Sequence, residues 1–499
     1  MITRSLLCLA ASILWAPSAF SASFDLTLAA SHRITTRAGG RSLTLLLDLD
    51  RNARLPAYDT STYLAAQPLE TYYSLFAEAG IDAALASWIT VRLVLNSGEV
   101  REQRTSLDGT TRLVHVVTVN GRLVLDELPK NAFVRTALID LHAPETTWWQ
   151  LELGHKLWRL GNSFIFDEWA LGVQLSLDFE LLNGRPWRLD LSYIVPTRDF
   201  ADKPWTSPLA TVRLEYKLSL FESVWLSFSW FRDGAGEITE TVRQAAVERV
   251  LNADFRPLRE QATLACYLNT DFRSAGNLFY ATIAGNKTLG PGSLRATLVF
   301  EAGRVLIQGA PVFRTDCTRT DLVAFTTIGA AFDVSYRWSA TDRLAITPFI
   351  VAESGQQFSA GQRMYSAYIG VLPFITRTSL FFAGGLAETF GARRVTSAGV
   401  NGRGVVAPGV EAIYEPVDQL RLRAVVSPLF SWARGIEAPV GGGGQFYGVE
   451  IDSVVIYEPV SVLGFAAEAD VLFGGSFYRT GEPVWKVIFS VDLSKTWTL

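Results

Sequence analysis

The side chains best placed to do chemistry are four carboxylates near the carboxy terminus. Glu450 and Asp452 alternate with apolar residues, and Glu468 and Asp470 do so further along the chain. A turn over residues 458–461 would join the two stretches as a hairpin, with Glu450 opposite Asp470. Asp452 then lies opposite Glu468. Like charges directly opposite destabilise a sheet, so this pairing predicts a compensating group.

Three explanations of the acidic pairs stay open. Nearby cations can neutralise them, the candidates being Arg421, Arg423 and Lys486. A bound divalent ion can do the same through oxygen ligands. The predicted register can also be wrong. No Cys/His spacing indicates a zinc or redox site, so we assign no metal ligand and no cofactor.

The histidines give no indication of catalysis. His32, His115, His142 and His155 do not assemble with a serine and a carboxylate into a recognisable triad. The chain also lacks a phosphate-binding loop, a dinucleotide fingerprint and a basic block suited to nucleic acid. We therefore assign no catalytic residue, expect no nucleic-acid partner and predict that the protein is not an enzyme.

The carboxylates belong to a chain with the periodicity of β-strands. In the last sixteen residues apolar side chains from Trp485 to Trp497 alternate with polar ones from Lys486 to Thr498. A period of two indicates a strand. One lipid-compatible face and one wettable face are typical of an outer-membrane β-barrel.

The same alternation recurs every 10 to 20 residues or so, as barrel strands and their turns require. Apolar positions on these strands are predicted to face lipid, and charged positions the lumen. With the four carboxylates, the predicted lumen-facing residues are Arg92, Asp178, Glu180, Arg188, Asp190, Arg213, Glu215, Lys217, Arg295, Arg337, Arg421, Arg423 and Lys486. Because both signs are mixed, we expect these charges to neutralise one another and keep the bore wet.

Composition and the amino terminus agree with an exported barrel. The 499 residues include 39 glycines, 12 % are aromatic and 19 % are charged. After the amino terminus, no apolar run approaches the roughly 18 to 20 residues of a spanning helix. Arg4, an apolar stretch and then small residues form a secretory signal, with cleavage after Ser21 or Ser23. We assign residues 1–22 to the signal peptide and 23–499 to the barrel.

The chain is therefore predicted to be all-β: a single transmembrane antiparallel barrel of about 18 strands, within a range of 16 to 20, in the outer membrane of a Gram-negative bacterium. Short periplasmic turns and long extracellular loops are expected. Tyr-Glu-Pro-Val occurs at residues 414–417 and 457–460, and we interpret both copies as turn chemistry. Residues 68–79 and 239–251 have helical patterns. Outer-membrane lipid, lipopolysaccharide and the barrel-assembly machinery are the expected partners.

Two regions of the chain resemble the alginate-export family of outer-membrane polysaccharide exporters. The first comprises residues 133–141 (FVRTALIDL), 151–158 (LELGHKLW) and 166–169 (FDEW), and the second 447–452 (YGVEID), 457–459 (YEP) and 473–478 (FGGSFY). The resemblance implies an 18-stranded monomeric barrel that passes an extended polysaccharide. It also implies periplasmic export and synthesis proteins as partners.

Two functions follow from these observations. The first is an outer-membrane pore that exports a polysaccharide through a polar lumen of mixed charge, as in exopolysaccharide secretion. The alternative is a diffusion or substrate-specific porin for small solutes. An exporter needs a lumen wide enough for a sugar chain, whereas a porin needs only a bore that small solutes can cross.

Overall fold

The computed structural model describes the strands of the barrel and part of their connections. It covers residues 23–38, 70–96, 100–103, 112–119, 122–126, 133–144, 147–196, 207–234, 275–308, 322–356, 364–371, 373, 375–382, 403–433, 444–477 and 483–498. The predicted signal peptide and the predicted helix at residues 239–251 lie outside these ranges.

The described residues form 22 strands and one short helix. The strands are β1 (Ser23–Ala38), β2 (Glu70–Ala86), β3 (Ile89–Asn96), β4 (Val100–Gln103), β5 (Arg112–Val119), β6 (Arg122–Asp126), β7 (Phe133–His142), β8 (Trp149–Leu160), β9 (Phe166–Asp178), β10 (Trp187–Val195), β11 (Leu209–Ser219), β12 (Glu222–Asp233), β13 (Ala275–Leu289), β14 (Gly292–Gln308), β15 (Leu322–Thr341), β16 (Leu344–Glu353), β17 (Met364–Tyr365), β18 (Val405–Val417), β19 (Leu420–Phe430), β20 (Phe446–Val460), β21 (Leu463–Gly474) and β22 (Val484–Thr498). The helix, α1 (Phe179–Asn183), lies between β9 and β10. No helix among the described residues is long and apolar enough to cross a membrane.

Eighteen of the strands form one closed antiparallel barrel. Each of these pairs with the next barrel strand along the chain, and β22 returns to pair with β1 along most of its length. The other four strands are accessory: β4 to β6 form a meander on the extended end of β2, and β17 pairs with β15. The predicted barrel of 18 strands is confirmed.

The two ends of the barrel differ in the length of their connections. Two-residue turns join β2 to β3, β11 to β12, β13 to β14, β15 to β16, β18 to β19 and β20 to β21. The connections at the opposite end include those between β12 and β13 and between β16 and β18, which are far longer. Short turns lie in the periplasm and long loops outside the cell, which fixes the orientation used below.

Outward-facing apolar residues mark the membrane-spanning belt. On β13, the outward positions between Asn277 and Lys287 are Phe279, Ala281, Ile283 and Gly285. Ten residues at about 3.3 Å each span roughly 33 Å along the strand. A tilt of about 40° reduces this to roughly 25 Å, the height of the apolar band in such barrels. Asn277 and Lys287 therefore lie at the outer and periplasmic interfaces.

The Tyr-Glu-Pro-Val elements were predicted to form turns. In the structure they form the ends of strands. β18 continues to Val417 and β20 to Val460, and the register of each ladder shifts at this point. Proline cannot donate a ladder hydrogen bond, and it is confined within sheets to edges and bulges. Pro416 and Pro459 therefore produce an irregularity two residues before the turn.

Two further local predictions are wrong. The helical pattern at residues 68–79 falls on β2, which pairs with β1 from Glu70 onward; the tertiary ladder overrides local propensity. Glu180, predicted to face the lumen from a strand, lies beyond the end of β9 at Asp178, whose carboxylate accepts hydrogen bonds from the amides of Glu180 (3.0 Å) and Leu181 (3.4 Å). This cap starts α1 instead.

Gly154 on β8 tests the packing of the barrel wall. Its φ is +139°, and an added Cβ would lie 2.0 Å from the carbonyl oxygen of Ala137 on β7. We expect Gly154→Ala to lower the barrel's melting temperature by several degrees, since strain of this kind costs roughly 1–3 kcal/mol. The matched control is Gly464→Ala, where the nearest atoms are 3.8 Å away. Equal melting of the two variants, measured by heat-dependent gel mobility, would contradict this reading.

Candidate functional site

The bore is crossed by part of the connection between β16 and β18. We call residues 364–371, 373 and 375–382 the inserted segment. It begins at β17, which pairs in parallel with Thr326 and Thr327 at the outer end of β15. Its later residues contact inward-facing side chains of β20, β21 and β22. It also contacts Tyr280 on β13 and the turn between β8 and β9. Because these partners are spread around the barrel, the segment traverses the lumen.

The predicted acidic cluster holds this segment in place. Glu450 accepts hydrogen bonds from the hydroxyl of Thr378 (2.8 Å) and from the amides of Leu380 and Phe381, the last at 3.0 Å. Asp452 accepts from the amide of Ser379 at 3.1 Å. A buried carboxylate is costly unless hydrogen bonds compensate its lost hydration. The backbone of the inserted segment supplies those bonds.

A lysine completes the arrangement. Nζ of Lys486 lies 2.9 Å from Glu468 and 3.3 Å from Asp470, and it donates to the hydroxyl of Ser379 at 2.6 Å. The same hydroxyl donates to Glu468 at 2.7 Å. Lys486 and the four carboxylates are all at most 6 % exposed. We call these five residues (Glu450, Asp452, Glu468, Asp470 and Lys486) the acidic clamp.

The predicted pairing inside the clamp is wrong by two residues. Asp452 lies opposite Asp470, while Glu450 faces Leu472 and Glu468 faces Val454. The turn is formed by residues 461–462, later than the predicted 458–461, because the strand continues through the proline bulge. One pair of acidic side chains, Asp452 and Asp470, is therefore directly opposed instead of two.

Of the three cations proposed to compensate the carboxylates, the clamp contains Lys486. Arg421 pairs with Glu415 at 2.6 Å, and Arg423 pairs with Glu411 at 2.6 Å. Arg423 also donates to the carbonyl oxygen of Arg377 at 3.3 Å and so supports the inserted segment directly. Among the described residues, no group of three His, Cys, Asp or Glu is arranged to hold a metal ion.

The segment is anchored on its other side by aromatic residues. The Tyr368 hydroxyl donates to the carbonyl oxygen of Phe164 (3.0 Å), and the Tyr280 hydroxyl donates to that of Ile369 (2.9 Å). Burial raises the pKa of Tyr368 well above its usual range, so its hydroxyl remains a donor. Phe164 and Ile165, both buried, belong to the turn between β8 and β9, which also bends into the lumen.

Below the segment, toward the periplasm, lies a polar compartment of about 200 Å³. Arg377 of the inserted segment forms part of its wall and donates three hydrogen bonds to Asp333: Nη2 to Oδ1 at 2.5 Å, Nη2 to Oδ2 at 2.7 Å and Nε to Oδ2 at 3.1 Å. The remaining wall consists of Asn162, Ser293, Arg295, Thr297, Ser335, Arg337, Thr347, Glu411 and Ile413.

The charges of this compartment do not cancel. Asp333 is bound by Arg377, and Glu411 is bound by Arg423. Arg295 and Arg337 are exposed to the compartment, and neither has a carboxylate within ion-pair distance in the described part of the chain. The compartment is therefore electropositive.

The other predicted lumen residues form local pairs near the periplasmic end. Arg188 pairs with Asp190, Arg213 with Glu215, and Arg92 with Asp82, at 2.9, 2.8 and 2.5 Å respectively. Lys217 lies 2.7 Å from Asp178 and 2.9 Å from Glu180, a residue of α1 rather than of a strand. None of these residues contacts the inserted segment through a hydrogen bond or ion pair described here.

Sequence reasoning missed the inserted segment and with it Arg377, Asp333 and Glu411 as parts of one site. The available signal was indirect. Four carboxylates on one inward face need donors, and no stretch of β20 to β22 supplies enough of them. A loop without strand periodicity gives no sign that it folds into the bore, because the contacts of residues 377–381 are made with strands far away in the chain.

Glu450 offers the sharpest test of the acidic clamp. In Glu450→Ala three buried donors of the inserted segment lose their acceptor, at roughly 1–3 kcal/mol each. We expect the segment to detach, so that trypsin cleaves after Arg377 and single-channel conductance rises at least twofold. The matched control is Glu215→Ala, a lumen carboxylate paired with Arg213. Wild-type cleavage and conductance in Glu450→Ala would refute the clamp's role.

Among the comparisons with known proteins, only the one with solved structures gives matches. No protein-family model matches the chain, and no curated protein matches its sequence. Solved structures that match include, from Pseudomonas aeruginosa, OccK11 (OpdR), with 11 % identity over 95 % of this chain and 96 % of that one and a TM-score of 0.45. OpdL matches with 10 % identity over 95 % of this chain and 99 % of that one, and with a TM-score of 0.48. OpdK, solved with vanillate, matches with 10 % identity over 96 % and 99 % and a TM-score of 0.47.

These findings correct the resemblance drawn from sequence. The expected membership of the alginate-export family is wrong, since the matching structures are substrate-specific porins of the OccK/OpdK type. The localisation is as predicted: the protein is an integral outer-membrane protein of a Gram-negative bacterium, built as a closed 18-stranded barrel.

Proposed function

We propose that this protein is an outer-membrane porin for small solutes, with a preference for small anions. The observation that carries the proposal is the inserted segment. It crosses the lumen, is held by the acidic clamp, and leaves a small electropositive compartment on its periplasmic side.

The volume of the compartment favours small solutes. The compartment of about 200 Å³ is smaller than the roughly 300 to 1,000 Å³ of pockets that bind drug-sized ligands. A solute of a few heavy atoms fits it, whereas an extended sugar chain requires a continuous bore. The segment is fastened on one side to Glu450 and Glu468 and on the other to Phe164. Passage of a polymer would require these buried contacts to break.

The charge of the compartment favours anions. Arg295 on β14 and Arg337 on β15 are diagonal neighbours on the lumen side, because Arg295 lies opposite Ser335 and Arg337 opposite Ser293. Two guanidinium groups without a carboxylate partner attract an anion, and charged side chains lining a pore set its selectivity. Arginine also binds carboxylate with a planar fork of donors. Small carboxylates and inorganic anions are therefore the proposed solutes.

Polysaccharide export is the weaker candidate. Periplasmic export and synthesis proteins are partners only of that function. Outer-membrane lipid, lipopolysaccharide and the barrel-assembly machinery remain proposed partners under either function. We propose no catalytic role for the barrel.

Ion selectivity in planar bilayers tests the proposal. We expect the wild-type barrel to conduct small anions in preference to potassium, and Arg295→Gln/Arg337→Gln to reduce the anion-to-cation permeability ratio severalfold. The control is Lys287→Gln, which also removes a cation but from the lipid-facing surface. Liposomes containing the wild-type barrel should swell in small carboxylate salts and retain a soluble anionic polysaccharide.

Two results would overturn this function. One is release of the polysaccharide from wild-type liposomes, which would support export. The other is an unchanged permeability ratio in the double arginine variant, which would show that these residues do not select the solute.

A further inference from the structure

A row of polar residues crosses three neighbouring strands on the lipid-facing surface of the barrel. Arg232 on β12 lies opposite Asn277 on β13, and Asn277 lies opposite Arg304 on β14. All three side chains are exposed and alternate with the apolar residues that face lipid. They lie at the end of the barrel with the long connections, at the upper boundary of the apolar belt. The row therefore marks the interface with the outer leaflet.

The two arginines of this row are available to a ligand. Neither Arg232 nor Arg304 has an ion-pair or side-chain hydrogen-bond partner in the part of the chain that the structure describes. Strands are spaced about 4.8 Å apart, so the two backbones are roughly 10 Å apart across β13. Side chains as long as arginine can converge from that distance on one phosphate or hold two adjacent ones. Arginine is suited to such bidentate contacts.

An apolar groove of about 550 Å³ lies on the wall next to this row. The groove is deepest at Ala210, because this small residue lies between the larger side chains of Tyr193 and Trp230 on the neighbouring strands. The outward-facing residues of the groove are Val173, Leu175, Leu191, Tyr193, Ala210, Val212, Phe228, Trp230 and Phe279. The groove therefore has the chemistry and the position to hold hydrocarbon.

The groove and the polar row are directly connected. Trp230 lies two residues below Arg232 on the same face of β12, and its indole N–H donates to Oδ1 of Asn277 at 3.2 Å. This bond fixes the indole between the cations and the apolar surface. A molecule with phosphate at its head and acyl chains below it would contact both parts at once.

We propose that Arg232, Asn277 and Arg304, together with the groove around Ala210, form a binding site for the lipid A part of lipopolysaccharide. Two features favour this occupant over a glycerophospholipid. The site is on the outer leaflet, and its two separated cations match a headgroup with two phosphates. Binding would place acyl chains against Phe228 and Trp230 and would stabilise the barrel by mass action. The site does not depend on the proposed transport function.

Lipid binding to the full-length, delipidated barrel in detergent tests the site. The probes are diphosphorylated lipid A, its fully dephosphorylated form and phosphatidylglycerol, with bound lipid counted by native mass spectrometry. We expect diphosphorylated lipid A to bind at least tenfold more tightly than either of the other probes. Arg232→Gln/Arg304→Gln should lose at least tenfold of that affinity.

Two more variants separate the parts of the site. Ala210→Trp fills the groove and keeps both arginines, so we expect a severalfold loss of affinity for diphosphorylated lipid A. Lys287→Gln removes an outward-facing cation of β13 at the periplasmic interface and should bind like wild type. Heat-dependent gel mobility shows that each variant is folded.

Three results would overturn the proposal. The first is wild-type affinity for diphosphorylated lipid A in the double arginine variant. The second is a loss of that affinity in Lys287→Gln as large as in the double arginine variant. The third is equal binding of phosphatidylglycerol and diphosphorylated lipid A. The last result would indicate a general site for anionic lipids.

Discussion

The internal architecture depends on the burial of four carboxylates on β20 and β21. Two of them, Asp452 and Asp470, face each other directly across the ladder. Charges buried in this way are tolerated only when hydrogen bonds and an opposite charge replace the lost water. Lys486 supplies the charge, and the amides of residues 379–381 supply most of the hydrogen bonds. The barrel wall and the inserted segment therefore require each other.

This mutual requirement shapes the bore. By fixing residues 378–381, the clamp positions Arg377 against Asp333 on the adjacent wall. That ion pair engages Asp333, a carboxylate near Arg295, and Arg423 engages Glu411 in the same way. An interior whose composition is balanced thus becomes locally electropositive. Charge counted over the whole lumen does not predict the potential at the narrow part of the pore.

The sequence predicted the architecture well and the site in part. Strict alternation in β22 identified a barrel strand because lipid on one side and water on the other impose a period of two. The same pattern exposed the acidic cluster and the candidate Lys486. It could not give the register, since β20 continues through Pro459 to a turn at residues 461–462, with a register shift between Tyr457 and Val460. Together these move the pairing by two residues from the one predicted. It also could not reveal the inserted segment, whose contacts join residues far apart in the chain and leave no periodic pattern.

Amide hydrogen exchange at residues 379–381, measured on the wild-type protein in lipid nanodiscs, shows directly whether the inserted segment is docked on the acidic clamp. These amides donate to Glu450 and Asp452, and Ser379 and Leu380 are buried against the wall only while the segment is docked. We expect these amides to exchange as slowly as amides of β20. Exchange as fast as that of an unstructured peptide would show that the acidic clamp does not hold the segment.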